Sequence, residues 1–444
     1  MQTDLAPRWR DTDTGREAER VLRACVHCGF CTATCPTYQT LGDELDGPRG
    51  RIYLIKAVLE GKAPTEATRD HLDRCLTCRA CETTCPSGVE YHKLVDIGRA
   101  VVEAEVPRPL GQRLVRKALG WGLSDPGRFG AGLALGRLAK PLLPARLADK
   151  IPADVPAAGA WPPLRHARRM LALAGCVQPV LGPDINAAAA RLLDRLGISL
   201  EVAPSAGCCG ALKFHLNEQD AALAQMRANI DAWWPAVQAG VDAIVITASG
   251  CGAQVKDYGH LLRGDAAYAE KAARISELCR DPAEVLLAER AGLSALLKAA
   301  GQGGAASAGS GAGAGAVGPS PAAFGAPVTI DGRDIRRVAF QSPCTLQHGL
   351  KVRGVVESLL SDAGFELLPV AEGHLCCGSA GTYSLLQPEI SVALRERKLG
   401  NLQACGPDVI ASANLGCMTH LGPKAGVPVL HWVSLLDQRL ARSA

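Results

Sequence analysis

From residue 168 onward, short apolar runs alternate with segments whose apolar positions recur every three or four residues. The run RRMLALAGC ends at Cys176 and RRVAFQSPC ends at Cys344. Each leads into a segment of helical period, INAAAARLLDRLG or VRGVVESLLSDAG, closed by a glycine suited to a left-handed C-terminal cap. Short runs, ISLEV and FELLPV, follow, then GCCG (207–210) and LCCG (375–378). A last apolar run, AIVITASGC or VIASANLGC, completes each unit. Strands alternating with helices predict α/β units on a parallel sheet. Ligands of such sheets gather on loops at the carboxyl ends of the strands. The cysteines of both units are expected there.

The two units are one unit twice. Cys176, Cys208 and Cys209 recur 168 positions later as Cys344, Cys376 and Cys377, and Cys251 recurs 166 positions later as Cys417. Between the copies, residues 299–330 hold 9 Gly, 3 Pro and 3 Ser among 32, the composition of a flexible linker. Its Gly313–Gly318 stretch matches G-x-G-x-x-G formally, but no strand precedes it, so it is rejected as a dinucleotide site. Residues 99–170 carry 13 Lys/Arg against 5 Asp/Glu and include amphipathic stretches such as GQRLVRKALGWG. Pro and Gly are expected to interrupt every helix there, which favours a solvated connector or partner-docking face over contact with an anionic membrane surface. The expected boundaries are 1–98, 99–165 (basic helical connector), 166–298, 299–330 (linker) and 331–444.

Composition narrows the class. The 444 residues are 48% hydrophobic and 21% charged, a globular balance, and a net charge of +4 is too small to predict nucleic-acid binding. The N-terminus, MQTDLAPRWRDTDTGREAER, lacks the apolar core of a secretory signal, and no apolar run reaches the roughly 20 residues of a membrane span. The expected location is therefore cytoplasmic, with peripheral contact on the inner face of the membrane as the variant. There, 18 cysteines mean metal or redox chemistry.

Eight of them form two copies of C-x2-C-x2-C-x3-C-P: Cys25, Cys28, Cys31, Cys35 and Cys75, Cys78, Cys81, Cys85. In this pattern three thiolates come from one tight loop and the fourth, before proline, ligates the other cluster. One [4Fe–4S] cubane is thus expected on Cys25, Cys28, Cys31 and Cys85, and another on Cys75, Cys78, Cys81 and Cys35. Zinc sites prefer paired C-x2-C knuckles across a longer loop and fit poorly. His27 is expected to be a polar neighbour rather than a ligand.

The later cysteines leave three readings open. Cys176, Cys208, Cys209, Cys251 and Cys344, Cys376, Cys377, Cys417 suit a second type of iron–sulfur cluster, a structural zinc, or a redox-active thiol pair. Gly210 and Gly378 would admit a bulky centre close to the backbone. Cys279 and Cys405 fall outside the pattern and are expected to be buried free thiols. His348, His374 and His420 are expected to be polar loop residues.

Two ferredoxin-type motifs followed by two Cys-Cys-Gly (CCG) units resemble the iron–sulfur subunits of glycolate oxidase, also called glycolate dehydrogenase. The likeness runs through residues 23–61, 71–92, 229–240, 247–259, 343–349 and 374–385, with a lengthened Gly/Ala-rich insertion at 301–325 as the departure. It implies an α+β multidomain chain, a helical two-[4Fe–4S] ferredoxin-like domain followed by two duplicated α/β CCG domains. It further implies flavin-containing partner subunits that oxidise glycolate to glyoxylate, with this chain passing the electrons on, to a quinone. The absence of a flavin or nicotinamide fingerprint agrees. The wider superfamily holds subunits of lactate and glycerol-3-phosphate dehydrogenases, and heterodisulfide reductases whose CCG domains are catalytic.

Overall fold

The computed structural model describes residues 1–144, 148, 151, 152, 154–305, 328–330 and 332–441. Most of the expected linker, with the rejected 313–318 motif, lies outside them.

The N-terminal part is helical. Helices α1 (Asp13–Ala24), α2 (Pro48–Leu59), α3 (Glu66–Asp73) and α4 (Tyr91–Glu105) close around Leu22, Ile55, Leu59, Leu72 and Leu94. Thr12 starts α1 by accepting the Gly15 N–H at 3.0 Å, satisfying one of the donors every helix start leaves open. Helices α2 and α4 touch at Gly98, where a Cβ would lie 2.5 Å from Ile55 Cγ1. Only glycine permits that approach. The cysteine motifs lie in the loops between these helices.

Two helices follow, α5 (Leu110–Leu123) and α6 (Pro126–Ala139). Here the sequence expectation fails. Pro109 and Pro126 stand at the helix starts, where a missing N–H costs nothing, so both helices run uninterrupted for 14 residues. The pair leaves Leu110, Leu114, Trp121, Leu135 and Leu138 exposed.

The duplicated halves share one topology. In the first half, strands β1 (Arg168–Ala172), β2 (Ile198–Val202), β3 (Ala243–Val245) and β4 (Cys279–Arg280) form a parallel sheet in the order β2-β1-β3-β4. Helix α7 (Pro183–Arg195) links β1 to β2, α8 (Gln219–Gln238) leads back to β3, α9 (Ser249–Lys256) follows β3, and α10 (Pro282–Ala288) follows β4. Helix α11 (Arg290–Ala305) runs on past residue 299, and the hairpin β5 (Val328–Ile330)–β6 (Arg333–Ile335) precedes the second half.

There, β7 (Arg337–Gln341), β8 (Glu366–Leu368), β9 (Val409–Ser412) and β10 (Val429–His431) are parallel in the order β10-β9-β7-β8, the same arrangement. The matching helices are α12 (Val355–Asp362), α13 (Pro388–Gln403), α14 (Leu415–Leu421) and α15 (Trp432–Ala441). Strands β4 and β10 and the helices after them lie beyond the repeats visible in sequence.

The halves pack on each other with pseudo-twofold symmetry: α7 lies against α15, and its counterpart α12 lies against α10. One continuous apolar core, with Leu192, Leu193, Leu286, Leu359, Trp432 and Leu436 among its members, runs through both sheets. Asp437 receives Arg191 at 2.7 Å and Arg195 at 3.1 Å across the joint. The buried His431 Nε2–H donates to the Thr247 carbonyl at 3.0 Å.

Candidate metal centres

Both ferredoxin-type motifs adopt one strained loop. His27 and Thr77 have φ of 55° and 50°, and Gly29 and Arg79 have 83° and 59°. Left-handed backbone flanking the middle cysteine turns successive N–H groups inward, the nest geometry that suits anionic iron–sulfur sites. Thr77 N–H accordingly points at Cys75 Sγ, 3.4 Å away. For Arg79 the conformation costs about 1–2 kcal/mol, since its Cβ crowds the backbone.

The structure brings the eight thiols together as two adjoining hollows. One is lined by Cys25, Cys28, Cys31 and Cys85. The other is lined by Cys35, Cys75, Cys78 and Cys81. The second takes three cysteines from the second motif and Cys35 from the first, and the first takes three from the first motif and Cys85 from the second, with Cys81 between the two. Cys81, Tyr91 and Pro48 border both, so the hollows share a wall. An all-sulfur donor set converging on one hollow fits a cubane. Burial pushes the Cys31 thiol up to about 11, and neighbouring Cys25 adds to it. The Cys78 and Cys81 thiols are held well above their ordinary value, also chiefly by burial. Such thiols ionise readily only on a metal.

The two surroundings differ. The first hollow opens at the surface beside exposed Cys28, ringed by exposed Val26 and Phe30. His27 lines it, and its buried Nε2 has no hydrogen-bond partner. The second is interior. Its wall includes Arg51, only 1% exposed, which donates to the His71 carbonyl at 2.7 Å and to Thr37 Oγ1 at 3.1 Å, and faces Asp46 at 3.4 Å. Burial opposes the Arg51 charge, but Cys75, Tyr91, Cys35 and Asp46 outweigh it and hold its pKa above the ordinary value.

In each CCG half the thiols form the same chain of contacts. Cys208 touches Cys176 and Cys209, which touches Cys251. Likewise Cys376 touches Cys344, with sulfurs 3.7 Å apart, and Cys377, which touches Cys417. The first three cysteines of each set follow strands, as expected. The fourth does too, after β3 and β9, but Cys251 and Cys417 sit in the opening turn of α9 and α14, so helix starts rather than loops present them. Gly210 and Gly378 have φ of 89° and 87°, and a Cβ on Gly378 would meet the Ser391 carbonyl at 2.6 Å. The glycine after each cysteine pair lets the following helix approach.

The supports differ between halves. Asn229 on α8 holds the first CCG loop, accepting the Gly207 N–H at 2.8 Å and donating to the Cys208 carbonyl at 2.8 Å. On α13 the corresponding place is held by Lys398, whose Nζ donates to the carbonyls of Glu372 at 3.0 Å and Gly373 at 3.4 Å. In sequence it is one more cation in RERKLGNLQ. Its burial gives it away only in three dimensions.

The ferredoxin-type part docks on the second CCG set. Cys78, Leu76 and Ala80 pack with Cys376, Tyr383, Ile390 and Leu394, and Cys344 lies against the same cluster. Tyr383 donates to the Arg74 carbonyl at 3.0 Å. His348 is more than a loop residue. Its Nε2–H donates to the His374 carbonyl at 2.9 Å, which leaves Nδ1 to accept from Thr83 Oγ1 at 2.9 Å and bridge the domains. His420 packs on Ser391 at 3.2 Å behind Gly378. Cys279 is fully buried in the first sheet, as expected. Cys405 is not: it lies half-exposed in the turn after α13, its sulfur 3.5 Å from the Pro369 carbonyl.

Comparison with known proteins agrees with this layout. Residues 21–89 match the 4Fe–4S dicluster domain family, and residues 170–256 and 338–422 each match the cysteine-rich (CCG) domain family. The chain is 50% identical over 442 residues to the glycolate oxidase iron–sulfur subunit of Escherichia coli K12, covering all of both chains. A probable glycolate oxidase iron–sulfur subunit of Bacillus subtilis is 28% identical over 91% of this chain and 89% of its own. Lactate utilization protein A of Geobacillus thermodenitrificans is 24% identical over 60% of this chain and 96% of its own. A helical dicluster domain, two CCG domains and a full-length relative at half identity place the chain in the family of glycolate oxidase iron–sulfur subunits.

Proposed function

We propose that this chain is the electron-transfer subunit of a glycolate-oxidising complex. A flavin-bearing partner subunit converts glycolate to glyoxylate, and this chain carries the electrons towards a quinone. Cys25, Cys28, Cys31 and Cys85 hold one [4Fe–4S] cubane and Cys35, Cys75, Cys78 and Cys81 the other. Each CCG set holds a further cluster rather than zinc. Bound there, such centres take up and release single electrons. The observation that carries the reading is the row of sulfur-lined sites. It begins at a hollow open to the surface, continues through a shared wall, and ends against Cys344 and Cys376 of the second CCG set. The exposed apolar rim of Val26 and Phe30 suits a partner's docking face.

Anaerobic glycolate added to the assembled complex is expected to bleach the iron–sulfur absorbance, while the isolated chain stays unbleached. Bleaching by lactate instead would move the chain to a lactate system. Disulfide turnover by the isolated chain with a chemical reductant would favour the catalytic CCG reading. Zinc in place of iron would end the electron-transfer reading.

The α5–α6 pair supports a membrane-facing role where a quinone dissolves. Its exposed leucines and Trp121 are flanked by Arg113 and Lys117, and a basic residue near an anionic lipid surface contributes about 1 kcal/mol. Arg116 is excluded, because Asp73 engages it at 3.0 Å. No described helix is long and apolar enough to cross a membrane. The chain is expected to float with anionic liposomes, and the Leu114→Glu/Leu138→Glu variant to stay at the bottom of the gradient. Equal flotation of both would remove this face from the reading.

A further inference from the structure

Lys398 is 2% exposed, and among the described residues no carboxylate lies within ion-pair distance of it. Glu372 spends its carboxylate on Arg397 at 2.7 Å and Asn401 at 2.8 Å, and offers Lys398 only its backbone carbonyl. An ammonium taken out of water without an opposite charge costs several kcal/mol. Its Nζ is held on the Glu372 and Gly373 carbonyls, in the loop that leads into Cys376 and Cys377; burial lowers its pKa, and Cys377, Cys376, Cys344 and Cys417, the four cysteines of the second CCG set, oppose that shift. As neutral thiols they do not repay that cost. As thiolates on a metal they do.

We propose that Lys398 is the built-in countercharge of the second CCG set, so that this set carries a net-negative, thiolate-held centre whose potential Lys398 raises. The proposal rests on the reading of the CCG cysteines as cluster ligands. The first set has the neutral Asn229 amide at the matching place on α8, hydrogen-bonded to the Cys208 carbonyl at 2.8 Å. There Lys213 acts on Cys208 from a partly exposed position. A buried positive charge favours the electron-richer state of an anionic centre, so net charge and environment set the potential. The duplicated sites are therefore unequal. Of the two, the one against the ferredoxin-type domain is the easier to reduce.

The test is an anaerobic redox titration of the purified complex with a chemical reductant, followed by electron paramagnetic resonance, for the parent, Lys398→Met and Lys398→Arg. Because no glycolate is used, the result is independent of the substrate reading. Lys398→Met is expected to shift the reduction equilibrium of the second CCG centre at least tenfold against reduction, about 59 mV for one electron. Lys398→Arg should restore it, and the cubane signals should keep their midpoints. An unchanged midpoint in Lys398→Met at full iron content would overturn the proposal. So would loss of metal in both variants, which would make Lys398 a packing residue. A second set with no redox signal and bound zinc would overturn it too.

Discussion

Cys85→Ser is expected to empty the first hollow and Cys35→Ser the second, the reverse of their grouping along the chain. Cys85 lines the first hollow with Cys25, Cys28 and Cys31, and Cys35 lines the second with Cys75, Cys78 and Cys81. A cubane missing one thiolate is exposed to loss of iron, so each variant should drop by about 4 iron per chain. The assignment is read by comparison. The spectrum of Cys85→Ser should match that of Cys28→Ser, and Cys35→Ser should match Cys78→Ser. The magnetic interaction between neighbouring clusters should vanish in all four variants. If Cys85→Ser instead matched Cys78→Ser, the ligand sets would be uncrossed and the shared wall at Cys81 and Tyr91 would have another explanation. Electron delivery by the complex should fall to background in every variant.

Arg51→Met is expected to be the most damaging change that touches no cysteine. Arg51 and Asp46 are each 1% exposed, and Asp46 also meets His71 at 3.0 Å and Arg74 at 3.0 Å. Methionine fills the space of the arginine stem but leaves the buried Asp46 carboxylate only Arg74 and His71, takes a donor from Thr37 Oγ1, which keeps its bond to the Asp46 carbonyl at 2.7 Å, and unpairs the His71 carbonyl. Removing one partner of a buried charge pair costs about 3–5 kcal/mol, a large part of the 5–15 kcal/mol that typically holds a domain together. Arg74, 36% exposed in its side chain, makes the contrast. Its replacement by methionine should cost no more than about 1 kcal/mol, as for other solvent-screened pairs. Anaerobic denaturant unfolding of the full chain measures both. A loss under about 1 kcal/mol in Arg51→Met would mean the network is not what braces the second hollow.

The architecture was largely legible in the sequence because its signals are local. The C-x2-C-x2-C-x3-C-P runs and the strand–helix alternation each lie within a few dozen residues. The 168-residue repeat identified the halves because both copies retain the cysteines. What was not legible depends on distant pairs. The docking of the first domain is made by Thr83 with His348, 265 positions apart, and Arg74 with Tyr383, 309 apart. Nothing near any of these residues announces its partner. Lys398 and Arg51 failed for a different reason. Both sit in ordinary-looking basic helices, and whether such a cation is solvated or buried is decided by what packs over it. The α5–α6 prolines misled because a proline breaks a helix interior but suits a helix start.

The docking of the second hollow also sets an order of events during biosynthesis. Neither hollow has its full set of sulfurs until the ribosome has passed the second motif, so the first motif cannot be loaded on its own as it emerges. The second hollow is then covered by Cys376, Tyr383, Ile390 and Leu394, which are made some 300 residues later. Between these two moments the hollow is walled but uncovered. A cluster delivered in that interval meets the Leu76, Cys78 and Ala80 loop before the second CCG half packs on it.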